Sequence, residues 1–401
     1  MNEIENLIFD EAKKIGSLLI KWRRHFHEYP ELSFKEWKTA LFVEEQLKSI
    51  PGMTVSRPNA IIPNVVGKLA NGTGPTIAIR ADMDALPIQE ENDVVYASKH
   101  RGIMHACGHD AHTAIVLGVA KVIAQLQDHF QGTIVFLFQS AEETTDEQNK
   151  SGACYLLEDG VLDDVDAAIA LHMCPWLPVG HMQVHDGSSM ANVDVFEGTI
   201  RGSGGHGAYP HEGSDPIWML QYVLSYLYSI PSRKISPLEK AVVSVGEIQA
   251  GTSDNIIPTK VKLRGTIRSY EHDIRKCLTE EVTKAFALVA ALGGEYDVHI
   301  TRNEPALQND TRVNQLIVSS IHDLFPQAHI HHKPFGLGGE DFGYISGRIP
   351  SSMFFLGCQR ENEKKRELHT PQFDIDEQCL VQGTSILAAT AFRYLNEEGE
   401  K

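Results

Sequence analysis

A cysteine and a histidine stand two residues apart in the segment Met104-His105-Ala106-Cys107-Gly108-His109-Asp110. Further along the chain, Glu142-Glu143 and His172 each follow a run of apolar residues. Thiolate, imidazole and carboxylate groups bind zinc and similar divalent ions, and a metal site with carboxylates beside it is typical of hydrolases. The pattern therefore indicates a metal site, either a hydrolytic centre or a closed structural one.

These residues fall at the ends of predicted strands. Three strands lead into them: 76–79 into Arg80-Ala81-Asp82-Met83-Asp84, 133–138 into Glu142-Glu143, and 167–171 into His172. A helix is predicted over 111–126, and the alternation of strand and helix favours an α/β domain with a largely parallel, buried sheet flanked by helices. Open α/β sheets bind their ligands outside the carboxyl ends of the strands, so the three strand ends predict one site.

The pattern changes at about residue 191. From there to residue 302 the predicted elements are a strand, a helix, two strands, a helix and a strand, at 194–201, 215–229, 240–248, 260–269, 273–292 and 295–301. This order is typical of a ferredoxin-like module. Beyond it, the α/β pattern returns with a helix over 312–324, a strand over 352–356 and a helix over 378–396. We therefore predict an inserted domain at 191–302 and a catalytic domain formed by 1–190 and 303–401.

Composition narrows the class of protein. The chain has 401 residues, of which 42% are hydrophobic and 22% charged, and its formal net charge of −17 disfavours nucleic acid or an anionic membrane as a partner. The start, MNEIENLIFDEAKK, lacks the basic and apolar regions of a signal peptide. Six cysteines without close pairs do not indicate a disulfide framework. A cytoplasmic protein is expected.

Several motifs, in this order along nearly the whole chain, resemble those of one family. They are RADMDALP (80–87), MHACGHDAHTA (104–114), AEE (141–143), LH (171–172), GGHGAYPH (204–211), GGEDF (338–342) and LHTP (368–371). They are similar to the motifs of the bacterial and plant N-acyl-amino-acid amidohydrolases. That group includes hippurate hydrolases, indole-acetyl-amino-acid hydrolases and N-acetyl-diaminopimelate deacetylases, within the aminoacylase and carboxypeptidase clan.

The resemblance implies a metal-dependent amidohydrolase that releases a carboxylic acid and a free amino acid. It implies two divalent metal ions, with manganese or zinc as the first candidates and cobalt or nickel as further ones. The ligands that it assigns are Cys107, His109, Glu143, His172 and His369. It also implies that Glu142 is the general base that deprotonates a metal-activated water, and then the acid that protonates the leaving amine. Adjacent residues of an extended segment point to opposite sides, which would separate the roles of Glu142 and Glu143.

The resemblance assigns further roles to the inserted domain, which it describes as a dimerisation or lid domain. His206 would reach the active site of a partner subunit and polarise the carbonyl or stabilise the oxyanion, so a homodimer or higher homo-oligomer is implied. Asn255 and Arg268 would bind the substrate carboxylate. The alternatives are a plain flexible turn around His206 and an exposed strand position for Arg268.

Two rival functions remain open. A dipeptidase or carboxypeptidase of the same clan would use the same chemistry on a peptide bond. A non-catalytic protein with a structural metal is the other, and a carboxylate such as Glu142 beside the ligands argues against it, because structural zinc sites are closed by four protein ligands. Much of the clan has a metal-binding histidine where this chain has Asp82, so Asp82 and Asp84 are predicted to orient ligands instead.

Overall fold

The computed structural model describes residues 3–360 and 366–399. Its contacts divide the chain into two compact units, of which the first comprises Met1–Gly187, Gln308–Phe335 and Tyr344–Lys401. The second comprises Ser188–Leu307 and Gly336–Gly343, and this last segment carries the GGEDF motif. No helix in the described parts of the chain is long and apolar enough to cross a membrane.

The helices, in chain order, are α1 (Glu3–Lys14), α2 (Gly16–Glu28), α3 (Trp37–Lys48), α4 (His109–Gln125), α5 (Gly152–Glu158), α6 (Pro216–Arg233), α7 (His272–Ala291), α8 (Thr311–Leu324), α9 (Phe342–Ser346) and α10 (Cys379–Gly399). Short 3₁₀ turns cover Gln127–His129 and Pro210–Glu212.

The strands are β1 (Thr54–Ser56), β2 (Val65–Asn71), β3 (Thr76–Asp82), β4 (Gly132–Gln139), β5 (Ala167–Pro178), β6 (His181–Gln183), β7 (Gly187–Met190), β8 (Asn192–Arg201), β9 (Gly205–His206), β10 (Ala241–Ala250), β11 (Ile256–Ile257), β12 (Lys260–Ser269), β13 (Glu295–Arg302), β14 (Leu307–Asn309), β15 (His329–His331) and β16 (Ser351–Gln359).

The first unit is built on one sheet with the strand order β1-β2-β4-β3-β5-β16-β6-β15. Its central strands β4, β3, β5 and β16 are mutually parallel. Towards the edges, β1 pairs antiparallel with β2, β2 with β4 and β6 with β16, while β15 pairs parallel with β6. Nearly every residue of β3, β4 and β16 is buried, as expected for strands covered by helices on both faces. The predicted α/β class with a parallel central sheet is therefore confirmed.

The second unit contains a four-stranded antiparallel sheet in the order β10-β12-β8-β13. Together with α6 and α7 it has the β-α-β-β-α-β order predicted for a ferredoxin-like module. The two helices bury apolar side chains such as Leu227 and Phe286 against the sheet, in a core that also includes Phe196 from β8. The predicted ferredoxin-like α+β fold is confirmed.

Some predicted elements differ in extent. Residues 3–28 form two helices, α1 and α2, which are separated at Ile15. The strand that begins at Ala167 continues through His172 to Pro178, which places His172 within the strand rather than after it. The continuation follows from the pairing of β5 with β16, which extends to Cys174 and resumes at Pro178.

A buried arginine connects α2 with the start of α4 and the C-terminal segment. The side chain of Arg23 is fully buried, and it donates to Asp110 Oδ2 and Asp374 Oδ1, both at 2.9 Å. Burial raises the pKa of Asp110, but the nearby guanidinium of Arg23 and a hydrogen bond from His27 outweigh it and hold that pKa well below its usual value. This cluster fixes the first turn of α4, which begins at His109.

The Arg23→Met variant is expected to lose about 3–5 kcal/mol of unfolding free energy, because two buried carboxylates lose their charged partner. Urea denaturation measures the loss. The matched control is Arg24→Met, since Arg24 is 41% exposed and its pair with Glu377 is only partly buried. The control should change stability by about 1 kcal/mol or less. Equal losses of unfolding free energy in the two variants would contradict a special role for the buried contacts of Arg23 with Asp110 and Asp374.

Candidate metal centre and active site

Cys107 and His109 are held by the turn that starts α4. Gly108 lies between them with φ of 92°, a left-handed conformation that glycine adopts without strain. A β-carbon at this position would also lie 2.7 Å from the Met173 side chain. The glycine therefore allows the thiol and the imidazole to enter the same buried space from the two sides of one sharp turn.

The five predicted metal ligands lie together. Cys107 Sγ is 3.5 Å from His172 Nε2 and 3.3 Å from His369 Nε2. Glu143 Oε1 is 3.3 Å from His369 Nε2 and 3.8 Å from His109 Nε2. Donor atoms of three overlapping triplets lie within 4.8 Å of one another: Cys107 with His109 and His172, Cys107 with Glu143 and His369, and His109 with Glu142 and Glu143.

The chemistry of this cluster fits a cation. The buried atoms His109 Nε2 and Glu143 Oε1 have no hydrogen-bond partner among the described residues. Burial, and then the charges of Glu143, Glu142 and Asp82, raise the pKa of the Cys107 thiol well above its usual value. Burial lowers the pKa of His109, but Asp82 and Asp84 outweigh it and raise that pKa to about 10. A buried group of acids around thiol and imidazole donors is the environment that divalent ions occupy.

Asp84 orients two of the ligands. His109 Nδ1 lies 2.9 Å from the Asp84 carbonyl and 3.1 Å from its Oδ1, and because both are acceptors, Nδ1 must be the donor. His109 Nε2 is then directed at the cluster. The other oxygen of Asp84 accepts from the Glu143 N–H at 2.9 Å and from Ser33 Oγ at 2.7 Å. Carboxylates that fix metal-binding histidines in this way are a general feature of such centres.

His112 lies close to the ligands, but both of its ring nitrogens are occupied. Nδ1 is 2.6 Å from Asp82 Oδ1, and Nε2 accepts from the Met173 N–H at 2.9 Å. Asp82 Oδ2 also lies 3.6 Å from His109 Nε2. His112 therefore supports the site through Asp82 and through the backbone of β5, which carries His172.

Glu142 and Glu143 lie in the turn that follows β4. The sequence predicts an extended segment here, but Ala141 has a left-handed φ of 52° and both glutamates lie in a bend. The prediction of an extended segment is wrong, because a left-handed residue and a bend follow the end of the strand. Glu142 and Glu143 each offer an oxygen within 4.8 Å of a ring nitrogen of His109.

His206 and Asn255 are neighbours in the second unit. His206 lies in β9, which pairs with β11, and the Gly207 N–H donates to the Asn255 carbonyl at 2.8 Å. Both side chains belong to exposed residues. His206 Nδ1 accepts from the Ala208 N–H at 3.0 Å, which fixes the ring orientation.

Arg268 lies far from this pair within the same unit. It stands eight residues from Lys260 on β12, about 26 Å at the rise of a strand. The pairing of β12 with β8 continues past Lys260 with a hydrogen bond from the Gly202 N–H to the Thr259 carbonyl. The pair β9 and β11, next to which Asn255 lies, follows beyond that end. Arg268 is half-buried, and burial lowers its pKa while the charge of Glu304 raises it. Within one copy, Asn255 and Arg268 thus lie towards opposite ends of β12.

Comparison with known proteins identifies the family. Residues 78–393 match the pattern of the family described as Peptidase family M20/M25/M40. The chain belongs to this family. It is 39% identical over 390 residues to an N-acetyl-L-cysteine deacetylase of Bacillus subtilis (strain 168), covering 95% of this chain and 89% of the relative. It is 43% identical over 298 residues to an N-acyl-L-amino acid amidohydrolase of Geobacillus stearothermophilus, covering 74% of this chain and 78% of the relative.

A solved structure of the M20 family shares the fold. The YXEP protein of Bacillus subtilis, described as a dinuclear metal binding peptidase, has a TM-score of 0.83 and 34% identity. The match covers 96% of this chain and 99% of that one. The resemblance seen in the motifs is thus confirmed, and so is the predicted class of metal-dependent amidohydrolase. Enzymes of this class use divalent metal ions.

Glu36 is a buried carboxylate beside the turn to Glu142 that the sequence motifs do not mark. Glu36 lies in the PELSFKEW segment, outside the motifs that carry the family resemblance. The structure buries Glu36 completely and places it against the turn that leads to Glu142. A carboxylate inside an amphipathic pattern is normally solvent-exposed, so periodicity alone does not select it.

Proposed function

We propose that this protein hydrolyses the amide bond of N-acyl amino acids and releases a carboxylic acid and a free amino acid. The observation that carries the proposal is the position of Glu142, whose carboxylate lies within 4.8 Å of donor atoms of His109 and Glu143. A structural metal site has no use for an additional carboxylate beside its ligands, whereas hydrolysis needs a base at that place. The relatives named for N-acetyl-L-cysteine and N-acyl-L-amino acids support the substrate class.

The ligand cluster would hold two divalent ions per subunit, with manganese or zinc as the first candidates and cobalt or nickel as further ones. The residues that would hold them are Cys107, His109, Glu143, His172 and His369. When bound, such ions polarise a carbonyl oxygen and lower the pKa of a water towards neutrality.

The protein's own groups carry the protons. Glu142 takes a proton from the attacking water, whose oxygen then adds to the amide carbon. The tetrahedral intermediate carries negative charge on the former carbonyl oxygen, and His206 would stabilise it. Glu142 next gives its proton to the amide nitrogen, the C–N bond breaks, and the amine leaves. The same carboxyl thus acts as base and then as acid.

A homodimer would complete the site. A substrate carboxylate bound by both Asn255 and Arg268 requires the two residues to come from different copies, because one copy holds them far apart along β12. The second unit also exposes apolar surface on α6, where Ile217, Trp218 and Tyr222 are each more than 40% exposed. Its strand β10 lies at the edge of the sheet, and an unpaired edge is a natural surface for association. These features support association through this unit.

The experiment is a hydrolysis screen on metal-depleted protein that is refilled with manganese, zinc, cobalt or nickel. The substrates are acetyl, benzoyl and longer acyl amino acids, with dipeptides of the same amino acids as the matched comparison. We expect no hydrolysis before refilling and a kcat/KM for at least one acyl amino acid about tenfold or more above the dipeptide. Faster cleavage of dipeptides would favour the rival peptidase function, which the similarity to YXEP, a dinuclear metal binding peptidase, supports.

A further inference from the structure

The turn that delivers Glu142 contains a strained residue. Ala141 is fully buried and has a φ of 52°, in the left-handed region. A residue with a β-carbon pays about 1–2 kcal/mol for this conformation, which glycine adopts without that cost. A strained residue persists only where surrounding contacts hold it, and such residues cluster at functional sites. The contacts of Ala141 therefore decide where the next residue, Glu142, points.

Glu36 supplies two of the contacts that hold this turn from outside the strand. Its Oε1 accepts from the Ala141 N–H at 2.8 Å, and its Oε2 accepts from the Ser140 hydroxyl at 2.7 Å. The Glu36 side chain is fully buried, so both bonds are shielded from water. One carboxyl group thus binds two consecutive residues at the end of β4 and fixes the direction in which the chain continues.

Other bonds hold the same turn at its remaining polar atoms. The Ser140 N–H donates to Asn64 Oδ1 at 2.8 Å, and the Ala141 carbonyl accepts from the Gly152 N–H at 2.9 Å. Glu143 is held separately, because its N–H donates to Asp84. The residue between these anchors is Glu142, so its backbone is positioned from both sides.

We propose that Glu36 is a positioning residue for catalysis: it holds Ala141 in the left-handed conformation and so aims the Glu142 carboxylate at the reacting water and amide. The inference rests on the proposed role of Glu142. Glu36 acts through the backbone and touches neither the ligand cluster nor the substrate. Its loss should therefore affect turnover more than metal binding or substrate affinity.

The test compares Glu36→Ala with Glu36→Gln. Burial and the charge of Asp84 raise the pKa of Glu36 to about 8, so a neutral carboxamide is a close replacement. Gln keeps an acceptor for the Ala141 N–H and can donate to the Ser140 oxygen. We expect Glu36→Ala to lower kcat about 10²-fold, the effect of displacing a reacting group by about 1 Å. KM should change by less than about threefold, and Glu36→Gln should keep kcat within about threefold of wild type.

The matched control is Glu31→Ala. Glu31 lies in the same segment, and its Oε2 accepts from the N–H groups of Lys38 and Thr39, both at 2.9 Å, at the start of α3. This variant should lower stability by about 1 kcal/mol, as the loss of a helix cap does, with kcat unchanged. An equal fall of kcat in Glu31→Ala would overturn the proposal, and so would a Glu36→Ala variant with wild-type kcat.

Hydrogen exchange separates this inference from the proposed function. In the wild type the Ala141 amide should exchange slowly, and in Glu36→Ala it should exchange at least about tenfold faster because its acceptor is gone. Bound metal should stay the same in both proteins. If the wild type cleaves no acyl amino acid, the proposed function fails while the exchange result still tests the Glu36 contact. Unchanged exchange at Ala141 would overturn the positioning role whatever the activity.

Discussion

The Glu142→Gln variant is expected to retain its metal and to hydrolyse acyl amino acids about 10³ to 10⁴-fold more slowly than the wild type. General acid–base catalysis contributes about 10² to 10⁴-fold, and here one carboxyl would act as base and then as acid. The carboxamide keeps the size and polarity of the side chain but cannot take the proton. Steady-state kinetics at saturating metal, with metal content measured on the same samples, checks both parts of the expectation.

Glu143→Gln is the matched comparison, because the two residues are adjacent and both lie near His109. Glu143 Oε1 lies 3.3 Å from His369 Nε2 within the ligand cluster, so this change should weaken metal binding. Ligand loss and base loss are thus distinguished by the metal content at a fixed free metal concentration. A Glu142→Gln protein with nearly wild-type kcat would contradict the assignment of the base.

The sequence predicts the strands that have a regular burial pattern, the order of the elements and the residues of the motifs. Buried apolar runs such as 133–138 and the alternating pattern of Lys260–Ser269 correspond to β4 and β12, because burial on two faces or one face leaves a plain period. The order of strands and helices is enough to predict both folds. Residues that the motifs single out, including Cys107 and His369, lie together although 262 positions separate them.

What the sequence does not predict depends on single backbone angles and long-range contacts. The turn at Ala141 has no glycine to announce its left-handed φ, so an extended segment is the natural expectation. The short strands β6 and β15 offer only three residues each, too few for a period to be recognised. Glu36 and Arg23 are charged residues whose burial depends on partners that are distant in the sequence. Glu36 binds Ser140, 104 positions away, and Arg23 binds Asp374, 351 positions away.

His206→Ala should reduce kcat about 10² to 10³-fold by itself, the usual cost of removing one group that stabilises an oxyanion. The decisive measurement uses a mixture of His206→Ala and Glu142→Gln proteins. The subunits are dissociated, mixed in equal amounts and reassociated. If His206 acts in the partner's site, a mixed dimer has one site with both changes and one with neither.

The recovered activity follows from counting sites. In an equal mixture of a two-fold dimer, half of the dimers are mixed, so about one quarter of all sites regain Glu142 together with the partner's His206. The mixture should therefore reach about a quarter of wild-type kcat, far above either variant alone. If His206 served its own subunit, every site would lack one of the two groups and mixing would restore nothing.

Because His206 and Asn255 are joined through Gly207, an Asn255→Ala variant mixed with Glu142→Gln should show the same recovery if both residues cross to the partner.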